Sequence, residues 1–238
     1  MASNKSNDPP RFRRDTDLSR SLSWVLRHRA PSLGLSISAD GYVPVSDLLK
    51  CHKRFHGYNE EDVRRTVEQC PKQRFKLSML PSGVLSIRAN QGHSIRQVEN
   101  KGLFSQLSME ELRLEPCIVH GTTFEAWKSI KTQGLSRMKR RHIHFATGLP
   151  GAGSVRSGMR LNCQIHIYID AVKCADDRIV FYRSDNNVLL SSGEREKGNN
   201  DSSRQVNKHV SEGFLHPKYF LKVVDSKTKT DLLQETNI

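Results

Sequence analysis

The sequence has no run of about 18 apolar residues, the length that a membrane-crossing helix requires, and no C-x-x-C pair among its five cysteines. The first absence predicts a chain that stays out of the bilayer. The second argues against both a disulfide framework and a cysteine zinc site, because the five thiols are odd in number and widely spaced. A reducing, intracellular compartment, cytoplasmic and/or nuclear, is the expectation. The opening residues, MASNKSNDPPRFRRDTD, contain no apolar stretch of the kind a secretory leader carries. Aromatic residues make up 7% and hydrophobic residues 36% of the 238 residues, with a mean hydropathy of −0.60. That is core material for one domain or for two of about 100 residues. Acids are also scarce: 25 Asp and Glu stand against 38 Lys and Arg, a net charge of +13. Such an excess favours a polyanionic partner, nucleic acid above all. The glycine fingerprint of a dinucleotide-binding βαβ unit is missing too. Gly151-Ala152-Gly153 lacks the third glycine at the required spacing, and no Walker lysine motif occurs.

Periodicity then divides what is present. Residues 1–16 are polar, hold Pro9-Pro10 and show no repeat, which predicts disorder. Asp17 is placed to cap a helix with Leu18, Leu22, Val25 and Leu26 on one face, ended by Pro31. Leu35 to Val45 reads as a hairpin around Asp40-Gly41. Ser46 is placed to cap a short helix, and Asn59 a second one whose Glu60, Glu61 and Asp62 suit the positive end of its dipole. Phe75–Leu77 and Val84–Ile87 alternate around Pro81-Ser82-Gly83, a further hairpin. Helices followed by a hairpin predict a winged variant of the helix-turn-helix.

Residues 91–115 read as a polar connector with one short helix near Met109. Cys117–Val119 predicts a strand that passes through His120-Gly121-Thr122 into a helix with Phe124, Trp127 and Ile130 toward the core, stopped by Gly134. Strands are expected at His142–Phe145, Cys163–Ile169, Ile179–Tyr182 and Val188–Leu190, a half-covered sheet with few helices. The fold class is α+β, with one lobe over 17–115 and another over 116–225. Residues 193–212 (GEREKGNNDSSRQVNKHVSE) read as a flexible insertion, and residues 226–238 as a dispensable tail.

Four clusters carry candidate chemistry. Arg27 and His28 close the first helix, where cations offset the helix dipole in any protein. Arg20 and Arg27 also lie two turns apart on one face, where two planar guanidiniums could hold phosphate oxygens beside a titratable histidine. Arg88-Ala89-Asn90-Gln91-Gly92-His93-Ser94 crowds polar groups at a strand exit; a plain loop would serve the fold equally well. His120-Gly121-Thr122 precedes a helix start, a place suited to phosphate contacts as well as to ordinary capping. Lys139-Arg140-Arg141 opens a strand, where charge commonly just faces water. His142 and His144 share a strand face, but two histidines without a third ligand make a weak metal site.

Taken together, LSRSLSWVLRH (18–28), SIRANQGHS (86–94), VHGTT (119–123), RRHIHFA (140–146) and FYRS (181–184) resemble the RNA 2′-phosphotransferase family over residues 17–225. The resemblance implies an N-terminal winged-helix-like RNA lobe and a C-terminal NAD lobe related to ADP-ribosyltransferases. It implies an Arg-His-Arg-Arg tetrad at Arg27, His28, Arg88 and Arg140, with Arg141 beside Arg140 leaving a one-residue ambiguity. It places NAD contacts at His120, Gly121 and Thr122, with Arg140 on the same lobe. The implied co-substrate is NAD without a metal, and the implied partner is tRNA or another 2′-phosphorylated RNA, bound by a monomer. Two steps are implied: the RNA 2′-phosphate displaces nicotinamide from NAD, then the ADP-ribose 2″-hydroxyl attacks phosphorus. The products are 2′-hydroxyl RNA and ADP-ribose 1″,2″-cyclic phosphate. Asn187 stands where a turn glycine is usual, and the 193–212 stretch departs from the family pattern. Two other readings stay open: an ADP-ribosyltransferase that caps phosphorylated RNA ends, and an RNA-binding protein without chemistry.

Overall fold

Leu18, Leu22, Val25 and Leu26 are fully buried, each side chain of this size contributing about 1.5–3 kcal/mol by burial. They anchor the first of two units, Met1–Leu103 and Phe104–Ile238. The structure, a computed structural model, describes residues 10–149, 158–194 and 213–233. In the first unit the elements are α1 (Pro10–Trp24), β1 (Val43–Pro44), α2 (Val45–Lys50), α3 (Glu60–Glu68), β2 (Phe75–Met79) and β3 (Leu85–Ala89). The three strands form one antiparallel sheet in the order β1-β3-β2.

Helix α1 starts at Pro10, well before Asp17, so residues 10–16 are helical and not disordered. The cause is long-range pairing that local periodicity does not reveal. Arg14 meets Asp62 at 3.1 Å, Arg65 meets Asp15 at 2.8 Å, and the Tyr58 hydroxyl donates to the Arg14 carbonyl at 3.1 Å. Residues 1–9 lie outside the described residues. Leu35–Val45 forms no hairpin: a turn closes on itself from Ser38 N–H to the Tyr42 carbonyl, 3.0 Å. Only Val43–Pro44 then pairs, and its partner is β3. Ser46 is likewise inside α2 and does not cap it, since the helix begins at Val45.

Asn59 does cap α3, in a reciprocal box with Asp62. Burial pushes the Asp62 carboxyl up, but hydrogen bonds from Arg65, the Asn59 N–H and Arg14 outweigh it and leave the group below its ordinary value. A carboxylate held low stabilises the fold above its unfolded pKa and loses that contribution as pH falls through the folded one. Asp62→Asn should therefore cost about 1.5–3 kcal/mol at neutral pH in a chemical denaturation series, the range for hydrogen bonds to charged groups. The gap from wild type should close as the titration is carried below pH ~4, near the ordinary aspartate value. A gap that stays constant through that range would remove the ion-pair explanation.

The second unit contains β4 (Phe104–Gln106), α4 (Met109–Arg113), β5 (Val119–Thr122), α5 (Phe124–Gln133), β6 (Leu135–Ser136), β7 (Ile143–Phe145), β8 (Ile165–Ile169), α6 (Ala171–Asp176), β9 (Phe181–Ser184), β10 (Leu189–Ser191), β11 (Phe214–Leu215) and β12 (Phe220–Asp225). Two antiparallel sheets, β12-β8-β5 and β4-β9-β10-β7, are tied by a bridge between Val119 and Ala146; β11 pairs with β6. Ile165, Ile167 and Ile169 alternate inward as expected and meet Phe145, Phe181, Leu189 and Val223 in the core.

The unit boundary falls at Leu103/Phe104 and not near 115, because Phe104–Gln106 pairs with β9. Residues 91–115 are not a polar connector either: Ile95, Val98, Leu103, Leu107 and Leu112 are all buried. On α5, Trp127 and Ile130 pack on the core, while Phe124 is 43% exposed. Gly134 ends this helix at φ +89, where a Cβ would come within 2.4 Å of the Leu215 carbonyl oxygen. Residues 226–233 belong to the fold: the Leu232 N–H donates to the Val223 carbonyl at 2.7 Å, and Leu232 and Leu233 pack on the core. The expected insertion (195–212 of it), the Gly151–Gly153 segment and residues 234–238 lie outside the described residues.

Candidate functional site

In the first unit, α1 does not finish as an α-helix. Its last turn, Val25–Arg29, is π-helical, closed by the Ala30 N–H donating to the Val25 carbonyl at 2.9 Å. Such turns are frequent at functional sites because they redirect side chains and release a carbonyl from the regular ladder. Here the released carbonyl is that of Arg27, which accepts the Ser94 N–H at 2.9 Å and the Ser94 hydroxyl at 3.4 Å. His28 Nδ1 lies 3.0 Å from the same hydroxyl oxygen. With the hydroxyl proton directed at Arg27, the serine oxygen accepts from Nδ1–H, which fixes the ring. The Arg27 side chain runs along Gly92, whose missing Cβ would sit 3.4 Å from its Cδ and Nε. The first and second sequence clusters are thus brought together.

Arg88 belongs to the same neighbourhood but is only 4% exposed. Its Nη1 donates to the carbonyls of Asp40, at 3.2 Å, and Gly102, at 2.9 Å, and its guanidinium lies 5.0 Å from the Tyr42 ring centroid. It is a buried strut bearing a positive charge, not a surface cation. Asn90, Gln91 and His93 are also buried; the Asn90 amide donates to the Gln73 carbonyl at 2.7 Å and so fastens the loop. Arg20 stays on the exposed face of α1, paired with Asp17 at 3.2 Å.

In the second unit, His120, Gly121 and Thr122 lie within β5 and not after it, paired with Ile167, His166 and Ile165 of β8. Thr123 is the cap, accepting the Ala126 N–H at 3.2 Å. His120 Nδ1 lies 2.9 Å from the His144 carbonyl, an oxygen that can only accept, so Nδ1 carries the proton. Desolvation pushes the His120 pKa down, the bond to His144 opposes this, and the charge of Arg140 lowers it further. His120 is therefore neutral near pH 7 and offers Nε2 as an acceptor. Gly121 is required by close approach: a Cβ there would meet Cys163 Sγ and Met159 Sδ, each at 2.4 Å.

The two adjacent arginines separate by environment. Arg140 acts electrostatically on His120, whereas Arg141 and Arg137 act on His142, whose pKa falls to about 4, chiefly through burial. The His142 ring packs edge-on to Phe104 and Tyr182, at centroid distances of 5.4 and 5.8 Å. His144 Nδ1 is 3.0 Å from the His142 carbonyl. Arg160 is a further candidate, outside the four sequence clusters. Its charge acts on Arg140 and, after burial, lowers that guanidinium's hold on its proton. Among the described residues no carboxylate forms an ion pair with Arg140 or Arg160. Two like charges held near each other favour an anion. The only signal of Arg160 in the sequence was a lone arginine two residues past Gly158.

The model of the RNA 2′-phosphotransferase, Tpt1/KptA family matches residues 13–193 of the chain. The chain belongs to that family. Relatives include tRNA 2′-phosphotransferase 1 of Danio rerio, 46% identical over 182 residues, 76% of this chain and 80% of the relative. The Homo sapiens protein of the same name is 44% identical over 208 residues, covering 87% and 74% of the two chains. The Saccharomyces cerevisiae tRNA 2′-phosphotransferase is 35% identical over 184 residues, covering 76% and 80%. The matched span contains Arg27, His28, Arg88, Arg140 and His120-Gly121-Thr122. Among the described residues no helix is long and apolar enough to cross a membrane.

Proposed function

We propose that this protein removes a 2′-phosphate from RNA, tRNA left by splicing being the intended substrate, and that NAD is the acceptor. Membership in the 2′-phosphotransferase family supports the first half. One observation carries the second: His120 held neutral beside Arg140, with Arg160 nearby and no carboxylate pairing with either arginine among the described residues. A dinucleotide diphosphate fits that set, because guanidinium forks suit its oxygens and His120 Nε2 accepts a ribose hydroxyl. NAD supplies an electrophilic ribose carbon with nicotinamide as leaving group. Arg140 and Arg160 orient the diphosphate, while His120, Gly121 and Thr122 hold the ribose side. Arg27, backed by Arg88 beneath it, binds the RNA phosphate and stabilises charge as it grows on phosphorus. His28 Nε2 gives the proton to the departing RNA 2′-oxygen. Arg20 lies within reach of RNA phosphates further along α1. No metal ligand is required by these roles, and the chain acts as a monomer.

The test is an incubation of 2′-phosphorylated RNA with NAD in EDTA. Nicotinamide and ADP-ribose 1″,2″-cyclic phosphate should both appear, in equal amounts and undiminished by the chelator. Turnover lost in EDTA and restored by a divalent ion would sink the metal-free scheme. Nicotinamide release with stable ADP-ribosylated RNA ends would instead make the protein an RNA-capping ADP-ribosyltransferase.

A further inference from the structure

Trp24 closes α1 immediately before the π-helical turn, one helical turn ahead of His28. Its indole lies against two guanidiniums and an imidazole. The Arg54 guanidinium lies 4.3 Å from the ring centroid, Arg29 lies 5.9 Å away, and the His52 ring stands edge-on at 5.1 Å. Arg54 is set by a short 3-10 turn, Lys53–Phe55, in which His52 Nδ1 accepts the Arg54 N–H at 3.2 Å and Phe55 is buried as the anchor. Arg29, Lys50, Lys53 and Arg54 are all exposed, and among the described residues no carboxylate forms an ion pair with any of them. Several other arginines of this unit are neutralised, Arg14 and Arg65 by Asp62, and Arg64 by Glu60.

The way these guanidiniums are held matters. A carboxylate partner consumes N–H donors, whereas the face of an indole fixes a guanidinium by its charge and leaves all five donors outward. Two guanidiniums held against one indole without counter-charge cost repulsion, which a polyanion relieves. We infer that Trp24, Arg29 and Arg54 form a clamp for the backbone phosphates of the RNA strand flanking the reacting nucleotide. Trp24 is the positioning residue and the two arginines make the contacts. The clamp rests on the reading of Arg27 and His28 as the phosphate site, since it lies one turn from them on the same helix. Its role is affinity for long RNA, not the chemical step.

The experiment compares wild type, Arg29→Gln/Arg54→Gln and Trp24→Ala, with Trp24→Phe and melting curves as controls for folding. Anisotropy of a labelled 20-nucleotide RNA, without NAD, gives affinity at several salt concentrations. Turnover of a trinucleotide carrying one internal 2′-phosphate reads the chemistry alone. The double glutamine variant should bind the long RNA at least tenfold more weakly, with a log–log salt slope shallower by about 1.4, two single-strand contacts. Trp24→Ala should follow it and Trp24→Phe should not, while trinucleotide turnover stays within twofold. Long-RNA affinity and salt slope unmoved in the folded double variant would overturn the clamp. An equal loss on the trinucleotide would overturn it too, placing these residues in the reacting site. If wild type fails to turn over the trinucleotide with NAD although the long-RNA effect is present, the proposed function fails and the clamp stands.

Discussion

Replacing His28 or Arg140 with alanine should slow phosphate removal by about two to three powers of ten, the usual cost of one lost electrostatic contact in such a site. At least one variant should also accumulate ADP-ribosylated RNA that wild type never shows. The two steps of the proposed reaction make different demands. In the first, the attacking phosphate is already anionic, so alignment and charge balance suffice and no base is needed. In the second, charge concentrates on phosphorus and a proton must reach the departing 2′-oxygen. In the proposed scheme His28 makes that delivery, its ring fixed by the contact between Nδ1 and the Ser94 hydroxyl at 3.0 Å. Arg140 has no carboxylate partner among the described residues and acts on His120, so in the proposed scheme its charge serves the ADP-ribosyl side. Arg88→Ala should behave differently. Its guanidinium is a buried strut on two carbonyls, so its loss should depress both steps together and lower the melting temperature. A time-sampled gel of labelled 2′-phosphorylated RNA with NAD separates these outcomes. Folded, slow His28 and Arg140 variants that never show a shifted band would overturn the assignment of roles.

What the sequence made legible was whatever depends on local spacing. The four buried apolar positions of α1, the Asn59 capping box, the second hairpin and the inward isoleucines of β8 all follow from periodicity or capping chemistry. What it hid depends on partners far along the chain. The extension of α1 to Pro10 is secured by pairs spanning 48 and 50 residues. That Arg88 is buried on two backbone carbonyls could not be read from its strand-exit cluster. The adjacent Arg140 and Arg141 look alike in the chain, yet one acts on His120 and the other on His142. The π-helical turn that frees the Arg27 carbonyl has no composition signature at all. In its place LRHR offers only the bland pattern of cations at a helix end. Asn187 shows the opposite case, a departure from the family pattern that the backbone absorbs: its φ of 58 is one that asparagine tolerates.

Gly92 offers a way to test whether the seat of Arg27 matters, because strain and displacement can be separated there. Its φ is +89, so any L side chain is strained, at a cost of about 1–2 kcal/mol. An alanine Cβ would rest 3.4 Å from Arg27 Cδ and Nε, an ordinary contact that pushes nothing aside. A leucine at the same φ carries similar backbone strain but fills the space the guanidinium occupies. Gly92→Ala should therefore lose about 1–2 kcal/mol in chemical denaturation while keeping turnover close to wild type below its melting range. Gly92→Leu should lose at least as much stability and, in addition, about a hundredfold in turnover, the order expected when a catalytic group moves by roughly 1 Å. The loss should fall on kcat/KM for RNA, with the KM for NAD little changed, since Gly92 and Arg27 both belong to the first unit. Folded Gly92→Leu with wild-type kcat/KM would mean that Arg27 does not need this seat. Gly92→Ala as inactive as Gly92→Leu would place the requirement in the backbone of the 90–94 loop, and so in Ser94 and His28, instead of in the side-chain contact.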